Sequence, residues 1–303
     1  MSCPRPVFPD RIRFVSRRCS ERRFFLRPDP KTNEAFIYCL AEAANRFGIR
    51  VMHVTAMSNH YHVVYYDPFG RTPKFIEHFH KMLAKVMNCR WGRREAMWAS
   101  EQTSVIDLVD GADVLDKAIY TEANAVAAHL VARATEWPGV SSLPYHLNGT
   151  TMKAKRPTWF FDKNGKMPEE VELVLYRPPG FEGMPQKEWA ALLREKIAEE
   201  ERKAAAQRSA KGGRVLGRKA VRRQSPFASP LSHEPHGRRR MKPRVAAKNK
   251  WRRIEALRRL RAFVEQYREA YRAWRSGDRE VLFPDGTYLM RVRHAVRCTS
   301  PPS

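Results

Sequence analysis

The period of apolar positions changes several times along the chain, and each change marks an element. "RIRFVSRR", residues 11–18, alternates apolar and basic residues and predicts a strand. "PKTNEAFIYCLAEAANRFGI" carries Phe36, Ile37, Leu40, Ala44 and Phe47 at helical spacing. Thr32 or Asn33 can cap that helix and Gly48 stops it. "IRVMHVTAM" and "HYHVVYY" predict two strands hinged near Ser58-Asn59, and "DPFG" ends the second with a turn signal. From Thr72 to about Arg90, Phe75, Phe79, Met82, Leu83 and Val86 recur at helical steps. Strand, helix, two strands and helix predict an α+β fold with a ferredoxin-like (RRM-like) antiparallel sheet covered by helices.

Beyond this unit the signals thin out. Residues 93–110 are patchy. "DVLDKAIYTEANAVAAHLVARATEWPG" predicts a helix from Asp113 to just before Trp137-Pro138. Residues 150–185 are rich in Pro and Gly and suggest a linker or small irregular module, followed by a charged helix over 187–210. "RRQSPFASPLSHEPHGRRRMKPR" predicts a flexible loop. "KNKWRRIEALRRLRAFVEQYREAYRAWRSG" is a long basic helix, with Trp251, Ile254, Leu257, Leu260, Val264, Tyr267, Tyr271 and Trp274 three or four apart. That stripe suits a core better than a base-stacking platform. "EVLFPDGTYLMRVRHAV" shows two strand-like runs around Pro284-Asp285-Gly286. The expected division is therefore 1–150, 151–201 and a basic, mainly helical extension over 202–303.

Charge sharpens that division. Lys and Arg number 57 against 32 Asp and Glu, a net charge of +25. Residues 202–303 hold 28 basic and 7 acidic residues, a net +21, which leaves +4 for the first 201. One third of the chain carries nearly all the excess, as expected of a polyanion-binding extension. The five cysteines are odd in number and widely spaced, with no C-x-x-C, which argues against a disulfide framework and a thiolate zinc site. The polar, proline-containing start and the absence of a long apolar run predict a cytoplasmic, nucleoid-associated protein outside the membrane.

Two His-x-His pairs invite comparison. His60 and His62 fall in the strand-like "HYHVVYY", where i and i+2 share a face and both imidazoles can reach one ion. His78 and His80 fall in a helical pattern, where i and i+2 diverge by roughly 200° and cannot share a metal. Taken alone, the first pair fits an ordinary surface strand with two solvated histidines better than it fits a metal site.

The wider constellation changes the balance. "FGIRVMHVTAMSNHYHVV", "KMLAKVMNCRWGRREAMW", "AIYTEANAV" and "EWPGVSS" occur in order over roughly residues 5–150. Together they resemble the REP-associated tyrosine transposases, single-tyrosine HUH enzymes that cut and rejoin single-stranded DNA. The resemblance implies that His60 and His62 are metal ligands, with Asn59 as the supporting residue before them. It also implies that Tyr120 is the nucleophile and that Asn124 completes the metal site. Mg²⁺ or Mn²⁺ is the implied cofactor, single-stranded or hairpin DNA the implied partner, and a homodimer is admissible. Ser58 and Ala125 stand where the family usually has proline. Ala96 and "SEQTS" replace a glycine and an aromatic-arginine segment near Trp98, which bears on how DNA is held there.

The residue chemistry is compatible with those roles. Tyr120 and Asn124 are i, i+4 and would project from one helix face. Two neutral imidazoles and one amide oxygen leave positions open for phosphate oxygens. Phenolate is a good leaving group, so a phosphotyrosine link can be reversed without ATP. For DNA contact the candidates are Arg11 and Arg13 on the first strand and Arg252, Arg253, Arg258 and Arg259 on the basic helix. "HEPH" suits solvated histidines, "KGGRVLGR" lacks the spacing of a phosphate-binding loop, and Asp107, Asp110, Asp113 and Asp116 suit a helix-start charge bias. The alternative is a catalytically silent or domesticated DNA-binding descendant. An RRM-like RNA binder lacks the paired strand aromatics it would need.

Overall fold

The computed structural model describes residues 4–231 and 243–300; "HEPH" lies outside them. Strand β1 (Arg11–Arg18) is followed by helix α1 (Pro30–Phe47), strands β2 (Arg50–Ala56) and β3 (His60–Asp67), helix α2 (Thr72–Arg90) and strand β4 (Ser104–Leu108). Helices α3 (Gly111–Ala127) and α4 (Leu143–Asn148) come next, then strands β5 (Met152–Lys155) and β6 (Glu170–Leu173). The rest comprises α5 (Gln186–Ala210), α6 (Arg218–Arg223), β7 (Val245–Ala246), α7 (Lys250–Arg275) and α8 (Leu289–His294).

The main sheet runs β2-β3-β1-β4-β7. Its first four strands pair antiparallel, whereas β7 joins the β4 edge in parallel. The sheet is thus mixed rather than purely antiparallel. The free peptide groups of the β4 edge take a partner from the basic third of the chain, with Asp107 N–H donating to Arg244 O at 2.9 Å. One face, with Val15, Tyr61, Val63 and Tyr65, builds the large core under α1 and α2. The other, with Phe14, Val64, Ile106 and Leu108, meets Val114 of α3.

Local chemistry explains the element ends. Asp29 caps α1, accepting from Thr32 N–H at 2.9 Å behind Pro30, and Gly48 closes the helix at φ 67°. The expected helix through residue 136 stops at Ala127 instead. His129 turns to φ 55°, and Leu130 N–H reaches back to Ala125 O. The 150–185 segment holds the β5–β6 hairpin, whose Met152, Ala154, Val171 and Leu173 join the α1 core. Its Pro/Gly content marks the turns and masks the short strands. The patchy 93–110 segment contains β4. The second strand-like run near the C-terminus is helix α8, and Phe283 forms a parallel bridge with Cys298. Here the basic residues gave no period to separate the two forms.

The stripe on α7 divides in two. Tyr267, Tyr271 and Trp274 pack with Phe283, Met290 and Val296, whereas Trp251 stays 75% exposed. The acidic run also does more than bias a helix start. Asp113 accepts from Lys248 N–H, Asp116 pairs with Lys248 and Asp110 with Arg252, so it docks the start of α7. Among the described residues no helix is long and apolar enough to cross a membrane.

Candidate active site

Strand pairing aims the two histidines at α3. Ser16 lies opposite His62 and Arg18 opposite His60, which puts both imidazoles on the Phe14 face. The hairpin loop before them is pinned by Cys19 N–H on Asn59 O and Leu26 N–H on Ser58 O. Asn59 bridges this anchor to the site: its amide donates to Arg22 O at 3.1 Å, and its oxygen accepts from His60 Nδ1 at 2.7 Å. That bond fixes the ring's orientation and leaves Nε2 with a lone pair.

Four residues far apart in the chain converge here. The His60 and His62 rings lie 4.8 Å apart, and His62 stacks on Phe14 at 5.2 Å. Buried Asn124 lies beside His60, where its amide favours the charged ring. Tyr120, one turn earlier on α3, sets its ring edge-on to His62 at 5.5 Å and to Phe14 at 5.9 Å. Tyr120 is 45% exposed, while His62 and Asn124 are buried. Lys117 Nζ lies 5.1 Å from the Tyr120 ring centre. Sequence reasoning missed Lys117; its position three residues before Tyr120 was the available signal.

Burial pushes His60 down to about 4, helped by the Arg18 charge. Burial, His60 and Lys117 hold His62 well below the usual imidazole range. Both rings are therefore neutral at neutral pH, as metal ligands must be. Buried His62 Nδ1 has no hydrogen-bond partner. Two neutral imidazoles, one of them with an orphaned nitrogen, beside an amide fit a divalent cation.

The second pair behaves differently. His80 lies on the opposite face, bonded to Tyr61 Oη at 2.6 Å and to Arg17 at 2.8 Å. His78 pairs with Glu42. His80 and His146, like His60 and His62, have depressed pKa values caused first by burial. The unfolded chain binds protons on such groups near pH 6.5, and the folded one resists until much lower pH. Stability should therefore be level above about pH 6.5 and fall steadily towards pH 4. Urea midpoints at pH 7.5 and 5.0 check this; equal midpoints would contradict neutral buried imidazoles.

A third cluster, His53, Glu122 and His146, brings ligand atoms within 4.8 Å of one another and is fully buried. A β-bulge after Val51 sets both Met52 and His53 opposite Val64 and so turns His53 towards α3. Most of the cluster's polar atoms are committed, although buried His53 Nε2 has no hydrogen-bond partner. Glu122 accepts from His53 Nδ1 at 2.8 Å, from Ser141 Oγ at 2.9 Å, from Leu143 N–H at 3.1 Å and from Ser142 Oγ. His146 Nε2 donates to Met52 O at 2.7 Å and its Nδ1 accepts from Trp189 at 3.3 Å. This polar network, centred on Glu122, ties α3, and with it Tyr120 and Asn124, to β2 and α4. Glu122→Ala would strand those donors and should cost about 3 kcal/mol or more. Urea denaturation measures it, with Glu122→Gln losing less. In a His62→Ala background a chelator should leave the melting temperature unchanged; a drop would assign an ion to this cluster.

The DNA-contact candidates separate as well. Arg13 is buried between Asp67 and Asp107, both at 2.9 Å, and is a structural ion pair rather than a free cation. Arg11, Arg252 and Arg259 line one cleft with it, which Arg253 and Arg258 do not.

No protein-family model matches the sequence, and no curated protein matches it. One solved structure similar to this chain is a REP-associated tyrosine transposase bound to a REP hairpin. It is 13% identical and aligns over 56% of this chain and 97% of its own, with a TM-score of 0.42. A likeness that loose leaves the functional assignment to the site itself.

Proposed function

We propose that this protein nicks and rejoins single-stranded DNA, with a hairpin as substrate, as a transposase does through a 5′-phosphotyrosine intermediate. The observation that carries the reading is the convergence of Tyr120 and Asn124 from α3 with His60 and His62 from β3. The strand order β2-β3-β1-β4 is read here as a ferredoxin-like core serving that site.

A divalent cation, Mg²⁺ or Mn²⁺, held by His60, His62 and Asn124 would supply Lewis acidity and orient the phosphate. Tyr120 Oη attacks phosphorus; the O–P bond forms as the P–O3′ bond breaks, and a proton ends on the 3′ hydroxyl. Lys117 puts positive charge beside the phenol ring, offsetting charge on the phosphate. The exposed face of Tyr120 lets a strand approach, while Asn59 and Glu122 hold the rings and helix that frame it. Rejoining is the same step reversed.

Incubating the full chain with an end-labelled single-stranded hairpin and Mn²⁺ should give a protein-linked band on a denaturing gel. The same sequence fully paired should not react. DNA binding without any covalent band under varied metal and sequence would favour the catalytically silent alternative.

A further inference from the structure

A cleft of about 1360 Å³ lies on the sheet face away from Tyr120. Its floor is Arg13, Val105 and Asp107, which cross-strand pairing places on the α2 side, opposite Phe14 and His62. One wall is a single face of α7, from Arg252 through Arg259 and Phe263 to Gln266. The other is the N-terminal arm with the start of α2. Val7 N–H on Gly286 O at 2.9 Å holds the arm against the C-terminal turn.

We propose that this cleft is a second nucleic-acid site, which grips an extended single strand of DNA independently of the cleavage site. The proposal rests on reading the protein as a DNA enzyme, and it adds where the uncut strand is held. The lining is strongly basic. Arg5, Arg11, Arg244, Arg252, Arg259 and Arg291 face it, and of its three carboxylates Asp107 is already committed to Arg13. Arg259 pairs with Glu255 in an exposed, readily exchanged contact, while Arg252 stays with Asp110 at the α7 dock. Arg11 and Arg291 are exposed, with no ion pair among the described residues.

Shape and aromatics select the occupant. The volume exceeds the usual range for a small-molecule pocket of about 300–1,000 Å³. That volume is the size of a few extended nucleotides. Phe69, 59% exposed, stands at the rim with Arg71 4.7 Å above its ring, and Arg11 lies 5.5 Å over Phe8. Guanidinium groups beside open aromatic faces are the elements that bind single strands without reading sequence. Because the cleft and Tyr120 occupy opposite faces, nucleotides held here are not those being cut.

The test is anisotropy of a fluorescein-labelled dT12 with the full-length protein over a salt series. Arg11→Ala with Arg291→Ala should weaken binding at least tenfold and lower the salt slope by about 1.4, some 0.7 per lost contact. Phe69→Ala should weaken binding with the slope unchanged. Lys187→Ala with Arg194→Ala, the same charge change on exposed α5 sites, should have a much smaller effect. Unlabelled duplex should compete poorly. Equal losses for the two double variants, or equal competition by duplex, would overturn the cleft assignment in favour of diffuse attraction. Adduct formation on hairpin DNA at saturating protein is scored separately. Adduct with cleft-independent binding overturns this inference alone, and cleft-dependent binding without adduct overturns the tyrosine reading alone.

Discussion

Tyr120→Phe should eliminate the covalent protein–DNA adduct while leaving the fold essentially unchanged. The Tyr120 hydroxyl makes no hydrogen bond among the described residues, and the side chain is nearly half exposed. Removing one oxygen there strands no partner and should shift the melting temperature little. The chemistry, by contrast, depends wholly on that oxygen, because a tethered nucleophile has no positioned water to replace it. The other tyrosines near the histidines are accounted for. Tyr61 Oη is bonded to His80 on the far face, Tyr65 donates to Thr72 at 3.2 Å in the core, and Tyr66 is tied to Asp10. Burial also pushes the Tyr61 and Tyr65 phenols well above their ordinary range, further from phenolate. A DNA-linked band that survives in Tyr120→Phe would sink the assignment.

His62→Ala and His80→Ala should fail in opposite ways. His62 rests on Phe14 beside His60 and Tyr120, and its loss removes one ligand of the proposed ion. Metal-dependent cleavage should vanish, with circular dichroism and much of the DNA affinity retained. His80 holds no ligand position, yet its removal strands the Tyr61 hydroxyl and an Arg17 contact inside the large core. It should cost about 1–3 kcal/mol of stability. Cleavage should persist at temperatures where the protein remains folded. Cleavage lost in a folded His80→Ala protein, but kept in His62→Ala, would reverse the roles assigned to the two faces.

Several features follow from the sequence alone. Alternation in "RIRFVSRR" and "HYHVVYY" and the stripe of α1 fix the first elements, since period 2 and period 3.6 bury different sets of residues. The spacing of Tyr120 and Asn124 places both on one side of a helix whatever surrounds it. The charge imbalance of the last third is likewise a property of composition.

Other features exist only once the chain is folded. Whether α3 lies over the His60 face is decided by Glu122, whose partners come from β2 and from Ser141 to Leu143. No local pattern marks a glutamate as the centre of such a network. His53 reaches it through a bulge that periodicity cannot anticipate. Arg13 and Arg11 share one face of an alternating strand, yet Arg13, flanked by β3 and β4, is locked between two carboxylates, whereas Arg11, at the strand end beyond the β4 pairing, is exposed. The β4 edge takes its parallel partner from a segment more than a hundred residues away, a pairing set by the free peptide groups there and by the docking of Lys248 and Arg252 on Asp116 and Asp110. Side-chain period is a local quantity, whereas burial and partner choice are set by what the rest of the chain brings alongside.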